Sequence, residues 1–305
     1  MAGIIGHKRQ QEFLSAMIKS EKVPHAMIFE GTSKLGKRKV ALDFVKNLFC
    51  QEDNCGNCWS CKNIDKETHP DVSIISPNGK EIKILQIREL IANFSYKPYL
   101  APFKIAIIDN AHLMNSEAQN SILKLLEEPL GKSIIILITE HSQALLPTVR
   151  SRTTKLSFFP VNEEEIKGFL KKEGFSCDLT DEIALLSFGR PGVAVDFSKD
   201  PSVINERRKQ VETLLNVTSA KSPYRMRLKY AKDLSEDKEN IKEVLEIWLS
   251  YFRAIMVKKV REEIKLNQSF SKIKESIDSI EESIYLISRT NADNRLVLEK
   301  LIMEL

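Results

Sequence analysis

Gly31-Thr32-Ser33-Lys34-Leu35-Gly36-Lys37-Arg38 decides how this chain of 305 residues is read. Its glycines and lysine follow the spacing of a phosphate-binding loop. In such a loop backbone N–H groups wrap phosphate oxygens, and the lysine reaches the β- and γ-phosphates. An active loop continues with Ser or Thr, whose hydroxyl holds Mg²⁺; here that position is Arg38. The flanks support the reading. After Pro24, Ala26-Met27-Ile28-Phe29-Glu30 has the composition of a short buried strand running into the loop. Beyond it, Val40, Leu42, Phe44, Val45 and Leu48 recur at helical spacing. Strand, glycine loop and helix form the setting that a phosphate loop requires.

A second half of the same chemistry lies downstream. Phe103-Lys104-Ile105-Ala106-Ile107-Ile108-Asp109-Asn110 is an apolar strand ending in an acid. A carboxylate at the carboxyl end of a parallel strand beside a phosphate loop organises Mg²⁺ in nucleotide hydrolases. The following position, where a glutamate polarises the attacking water, is Asn110, and an amide cannot act as a general base. Taken alone, the segment also suits a buried strand followed by an Asp-Asn turn.

Cys50-x4-Cys55-x2-Cys58-x2-Cys61 places four of the five cysteines within twelve positions. Short spacers let the backbone curl so that four thiolates converge on one tetrahedral Zn²⁺. An iron–sulfur cluster is the rival, but the Cys-Pro pair usual in such runs is missing. Four protein ligands leave no open coordination position, so the expected site is structural. His69, before Pro70 and Asp71, reads as a turn residue rather than a fifth ligand.

Outward from these motifs the pattern alternates. Val72 to Ile75 reads as a strand and Ile84 to Phe94 as an amphipathic helix. A helix follows from Glu117 to Glu128, stopped by Pro129. Ser133 to Ile138 has the isoleucine-rich composition of a strand buried on both faces. A short helix through Leu146 to Arg152 then precedes a last strand at Lys155 to Phe159. Alternating helices and apolar strands predict an α/β domain with a parallel sheet over 1–160. From Asn162, an N-cap with Glu165 three positions on, the pattern is helical, and 161–202 reads as a small helical lid domain. All eleven glycines lie at or before Gly192, and the last proline is Pro223. Residues 203–305 therefore read as an all-helical domain, reached through a linker at Lys199-Asp200-Pro201-Ser202.

Composition bounds the function. Forty-two per cent apolar and 29 per cent charged residues describe a globular chain with ample core. A net charge of +4 permits contact with nucleic acid without arguing for it. No apolar run approaches the roughly 20 residues that span a bilayer, so no membrane role is expected. Met1 to Gly6 lacks the features of a signal peptide, and a cytoplasmic protein is the expectation.

Together the glycine loop, the four-cysteine insert, Ile108-Asp109-Asn110-Ala111-His112 and Ser121-Ile122-Leu123-Lys124-Leu125-Leu126-Glu127-Glu128-Pro129 resemble the clamp-loader branch of the AAA+ ATPases. The resemblance is strong over about residues 1–200 and rests on length and helical composition beyond 205. It implies an AAA+ P-loop core, a helical lid and a C-terminal collar that holds subunits in a ring. It also implies work in loading a sliding clamp onto primed DNA for DNA polymerase III. The partners implied are gamma/tau and delta subunits, with the clamp and primer-template DNA met through the complex.

In that family one subunit supplies the phosphate loop and its neighbour an arginine from a Ser-Arg-Cys motif. Ser151-Arg152-Thr153 matches with the cysteine replaced, so Arg152 is the implied arginine finger, acting in trans. A guanidinium is always charged and offers a rigid fork of donors, which suits charge growing on a γ-phosphate. Thr139 and Arg190 match the two sensor positions. With Arg38 and Asn110 in place, the nucleotide site of Gly31, Gly36, Lys37, Arg38, Asp109, Asn110, Thr139 and Arg190 reads as degenerate, with weak or absent ATP binding. The expectation is a non-catalytic subunit. The alternatives are an active gamma/tau-like motor subunit, or a zinc-bearing DNA-binding module. The balance of 20 basic and 17 acidic residues from Ile204 onward disfavours the latter.

Overall fold

The computed structural model describes residues 3–52, 54–200, 202–219, 222–260 and 269–305. Met1 of the expected leaderless start and Pro201 of the expected linker lie outside the described residues, as do 220, 221 and 261–268 of the C-terminal region read as helical. The chain divides into two compact units, Met1–Phe169 with Arg190–Val193, and Leu170–Gly189 with Ala194–Leu305.

The first unit is built on five parallel strands: β1 Ala26–Glu30, β2 Val72–Ile75, β3 Lys104–Ile108, β4 Ser133–Thr139 and β5 Thr154–Ser157. Their order is β2-β3-β4-β1-β5. All seven residues of β4 are buried, which its β-branched run favours because both faces are covered. Strand side chains alternate between faces. Ile134, Ile136 and Ile138 thus join one core with Phe29 and Phe44, whereas Ile135 and Leu137 join another with Ile87 and Ile122. Each isoleucine so buried contributes about 1.5–3 kcal/mol relative to exposure.

The first core is covered by α1 Lys8–Lys19 and α2 Lys37–Phe49. The short α3 Trp59–Asp65 follows the cysteine run and packs on α2. The second core is covered by α4 Ile84–Phe94 and α5 Ser116–Glu127. The Asn115 side chain caps α5 by accepting from the Ala118 N–H at 2.9 Å. Next comes α6 Pro147–Ser151, with proline at its first turn. Strand β1 has β4 and β5 as neighbours, neither adjacent to it in sequence. Its carboxyl end is therefore a topological switch point, where open α/β sheets bind ligands.

The remaining elements are helical: α7 Glu163–Lys172, α8 Cys177–Leu186, α9 Pro191–Lys199, α10 Ser202–Thr218, α11 Tyr224–Ser235, α12 Lys238–Val260, α13 Phe270–Arg289 and α14 Asn294–Glu304. In the second unit α10 to α14 close around Trp248, whose ring stacks on Tyr230 at 6.0 Å. Leu214, Leu245, Ile273, Ile280 and Leu298, drawn from four of these helices, fill the same core. Among the described residues no helix is long and apolar enough to cross a membrane.

Candidate functional site

The loop between β1 and α2 closes on its own lysine. Lys37, 6% exposed, donates from Nζ to the carbonyl oxygens of Gly31 at 2.5 Å and Thr32 at 2.7 Å. Burial pulls the ammonium below its ordinary range, and Glu140, Asp109 and Glu30 pull it back only in part. Gly36 enters α2 at φ 93°, a left-handed conformation that glycine adopts without strain. The Gly31 N–H donates to the Thr139 carbonyl at 3.1 Å, anchoring the loop to the end of β4. Gly192 presses from another side: its N–H donates to the Lys34 carbonyl at 2.7 Å. A Cβ there would lie 2.8 Å from that oxygen, so only glycine permits the approach.

Arg38 does more than lack a hydroxyl. Its Nη1 lies 3.3 Å from Asp109 Oδ2 and its Nη2 lies 2.6 Å from Glu67 Oε1. The other Asp109 oxygen accepts the Asn110 N–H at 3.0 Å, with Asn110 in the left-handed region at φ 51°. A guanidinium therefore already sits on the carboxylate that would organise Mg²⁺. Both pairs are partly exposed, so each contributes only about 0–1 kcal/mol. Their consequence is chemical: Mg²⁺ requires near-octahedral oxygen ligands, and here one hydroxyl is missing and one carboxylate is engaged.

Gly36, Lys37, Arg38, Asp109, Asn110 and Gly192 line one cavity of about 760 Å³. Thr139, the first expected sensor, is buried beside it, its Oγ1 accepting from the His141 N–H at 3.1 Å. Arg190, the second, is 5% exposed in the turn that brings in Gly192. His7 and Glu67 escaped the sequence reading. His7 is buried, its Nε2 lies 2.8 Å from the Leu35 carbonyl of the loop, and burial holds its pKa down. Glu67 lies 29 positions from its partner, and no local pattern marks it.

The four sulfurs of Cys50, Cys55, Cys58 and Cys61 lie within 4.8 Å of one another. A tetrahedron with Zn–S bonds has edges of about 3.8 Å, so the set fits such an ion after a small contraction. Backbone N–H groups already point at the sulfurs, from Cys55 to Cys50 at 3.4 Å, Cys58 to Cys55 at 3.3 Å and Cys61 to Cys58 at 3.4 Å. Hydrogen bonds led by the Cys55 N–H draw Cys50 down to about 6, while burial pushes Cys61 up to about 12. Four sulfurs this close can hold a metal ion, whose charge would draw the protons from thiols such as Cys61. His69 belongs elsewhere. Its Nδ1 accepts the Asp71 N–H at 3.2 Å, and its ring lies 5.1 Å from Phe49 and 5.2 Å from Trp59. The insert is tied to α2 by Asn54 to Asp43 at 2.5 Å and by a Lys46–Asp65 ion pair.

Arg152 is not among the residues lining the loop cavity. It ends α6, one-third exposed, with Nη2 on Glu127 Oε1 at 2.8 Å and Nη1 on the Thr148 carbonyl at 3.0 Å. Thr153, where the family motif has cysteine, donates its hydroxyl to the Arg150 carbonyl at 2.9 Å and so caps α6.

Against this geometry, the family described as DNA polymerase III, delta subunit, matches residues 6–162. DNA polymerase III subunit delta' of Bacillus subtilis (strain 168) is 33% identical over 207 residues, 67% of this chain and 63% of the relative. The same subunit of Pseudomonas aeruginosa is 34% identical over 134 residues, 42% of this chain and 41% of the relative. DNA polymerase III subunit tau/gamma of Haemophilus influenzae is 31% identical over 173 residues, 55% of this chain and 25% of the relative. The chain thus spans less than two thirds of the length of these curated relatives. Among solved structures, a gamma subunit-related protein of DNA polymerase III from Thermotoga maritima superposes with TM-score 0.52 at 18% identity, over 95% of this chain and 97% of that one. That likeness speaks for the fold.

Proposed function

Because the chain belongs to the DNA polymerase III delta-subunit family, we propose that it is the delta prime subunit of a clamp loader, a non-catalytic member of a ring of AAA+ subunits. The observation that carries this is the Arg38 guanidinium on Asp109 at 3.3 Å, with Lys37 turned onto its own loop. Both groups that would manage MgATP are spent inside the chain, and Asn110 supplies no base. An active gamma/tau-like motor would need Ser or Thr at 38 and an acid at 110. The subunit instead serves a neighbour, presenting Arg152 to that neighbour's γ-phosphate.

In this reading Cys50, Cys55, Cys58 and Cys61 hold a structural Zn²⁺, which cross-links the insert and leaves no position for substrate. Residues 161–202 act as the lid and 203–305 as the collar that joins gamma/tau and delta subunits. The sliding clamp and primer-template DNA are met within the assembly, in the cytoplasm. Reconstitution tests this function. A loader assembled with the chain is expected to place the clamp on primed DNA at the cost of ATP, and one assembled without it to fail. Equal loading by both assemblies would remove the chain from the machine.

A further inference from the structure

We propose that Glu127 is a positioning residue for Arg152: it holds the guanidinium preorganised for the neighbour's γ-phosphate. The inference rests on the reading of Arg152 as a finger acting in trans.

Glu127 is the last residue of α5, and its carboxylate lies 2.8 Å from Arg152 Nη2. An acid at a helix C-terminus is disfavoured, because the helix dipole places partial negative charge there. Its neighbour Glu128 adds a further negative charge. The position makes sense once a cation is brought to it, and α6 brings Arg152. The two helices are registered by a buried side chain. Gln119 of α5, 5% exposed, accepts the Leu146 N–H at 2.7 Å and donates to the carbonyls of Met114 at 3.0 Å and Ala144 at 3.3 Å. One end of α6 is therefore pinned by Gln119 and the other meets Glu127.

The donor inventory decides what the contact does. A guanidinium has five N–H groups. Nη1 donates to the Thr148 carbonyl at 3.0 Å and to Ser151 Oγ at 3.4 Å, and Nη2 forms the ion pair with Glu127. Nε–H is not used in these contacts, and with Nη2 it forms the edge of the fork that takes a phosphate bidentately. A free arginine loses much rotamer entropy on ordering, and a finger ordered in advance does not incur that loss at the transition state. A partly exposed pair is also weak enough to adjust as the phosphate arrives.

The test is the DNA-stimulated ATPase of the reconstituted complex, with Glu127→Ala, Arg152→Ala and the double variant in this subunit and the other ATP sites silenced. Glu127→Ala is expected to lower kcat about tenfold with KM for ATP within about twofold. Glu127→Gln, which keeps an acceptor, is expected to recover part of the loss. The double variant is expected to match Arg152→Ala alone, because Glu127 acts only through the arginine. Wild-type kcat in Glu127→Ala beside a crippled Arg152→Ala overturns the positioning role and leaves the finger standing. Additive losses in the double variant overturn it too. Wild-type kcat in Arg152→Ala overturns the finger itself.

Discussion

Replacing Arg152 by alanine is expected to slow ATP hydrolysis by about 10³-fold at the neighbour's site that it is proposed to serve. The magnitude follows from the chemistry of phosphoryl transfer, in which catalysis is mostly positioning and charge stabilisation. Deleting a guanidinium removes a full positive charge from a water-poor interface where charge is growing. Bulk turnover understates the effect, because other ATP sites in a ring continue to fire. The rate is therefore measured in a complex whose remaining loops carry alanine for lysine, by phosphate release with primed DNA present. Arg152→Lys is expected to recover little, since an ammonium cannot present two parallel donors. Unchanged hydrolysis and unchanged clamp loading would contradict the assignment.

Loss of the zinc proposed for the four cysteines is the second large expected effect. Structural Zn²⁺ in small domains contributes about 10–16 kcal/mol of apparent binding energy. Here the insert is also held by packing of α3 on α2 and by the Lys46–Asp65 pair, so part of its structure should survive. Cys61 is the ligand to test, being fully buried within α3. Cys61→Ser, or exhaustive chelation, is expected to lower Tm by about 5–10 °C, the shift that a few kcal/mol causes in a unit of this size. Elemental analysis of the untreated protein is expected to give one zinc per chain. Because Glu67 follows α3, the same change should loosen its hold on Arg38 at the nucleotide loop. A metal-free protein with an unaltered melting curve would rule out the structural site.

Much of this was legible in the linear chain. Ile134 to Ile138 announces a doubly buried strand because five apolar residues in a row leave no polar face. Gly36 and Lys37 mark the loop because few residue types can serve at that turn. The four cysteines announce a cluster that can hold a metal ion, because their short spacers let the sulfurs converge. What the chain could not show are contacts between side chains from separate elements. Arg38 read as an absent hydroxyl; that its guanidinium lies on Asp109 and Glu67 follows from the packing of β3 and of the α3 turn against α2. Lys37 read as a phosphate ligand, and its turn onto Gly31 and Thr32 depends on the loop conformation. Glu127 read as the end of a helix; its partner was hidden because α6 is only five residues long and takes its direction from Gln119. Periodicity tells which face of an element is buried, but not which charged tips converge.

The chain is proposed to carry the loop of an ATPase without the activity. The most direct measurement is phosphate release by the isolated chain at saturating MgATP, with an Arg38→Thr variant alongside. The wild-type chain is expected to release no phosphate above the blank. Arg38→Thr is expected to gain Mg²⁺-dependent nucleotide binding but no turnover, since Asn110 still supplies no base. Steady phosphate release by the wild-type chain, abolished by Lys37→Ala, would make the chain an ATPase in its own right.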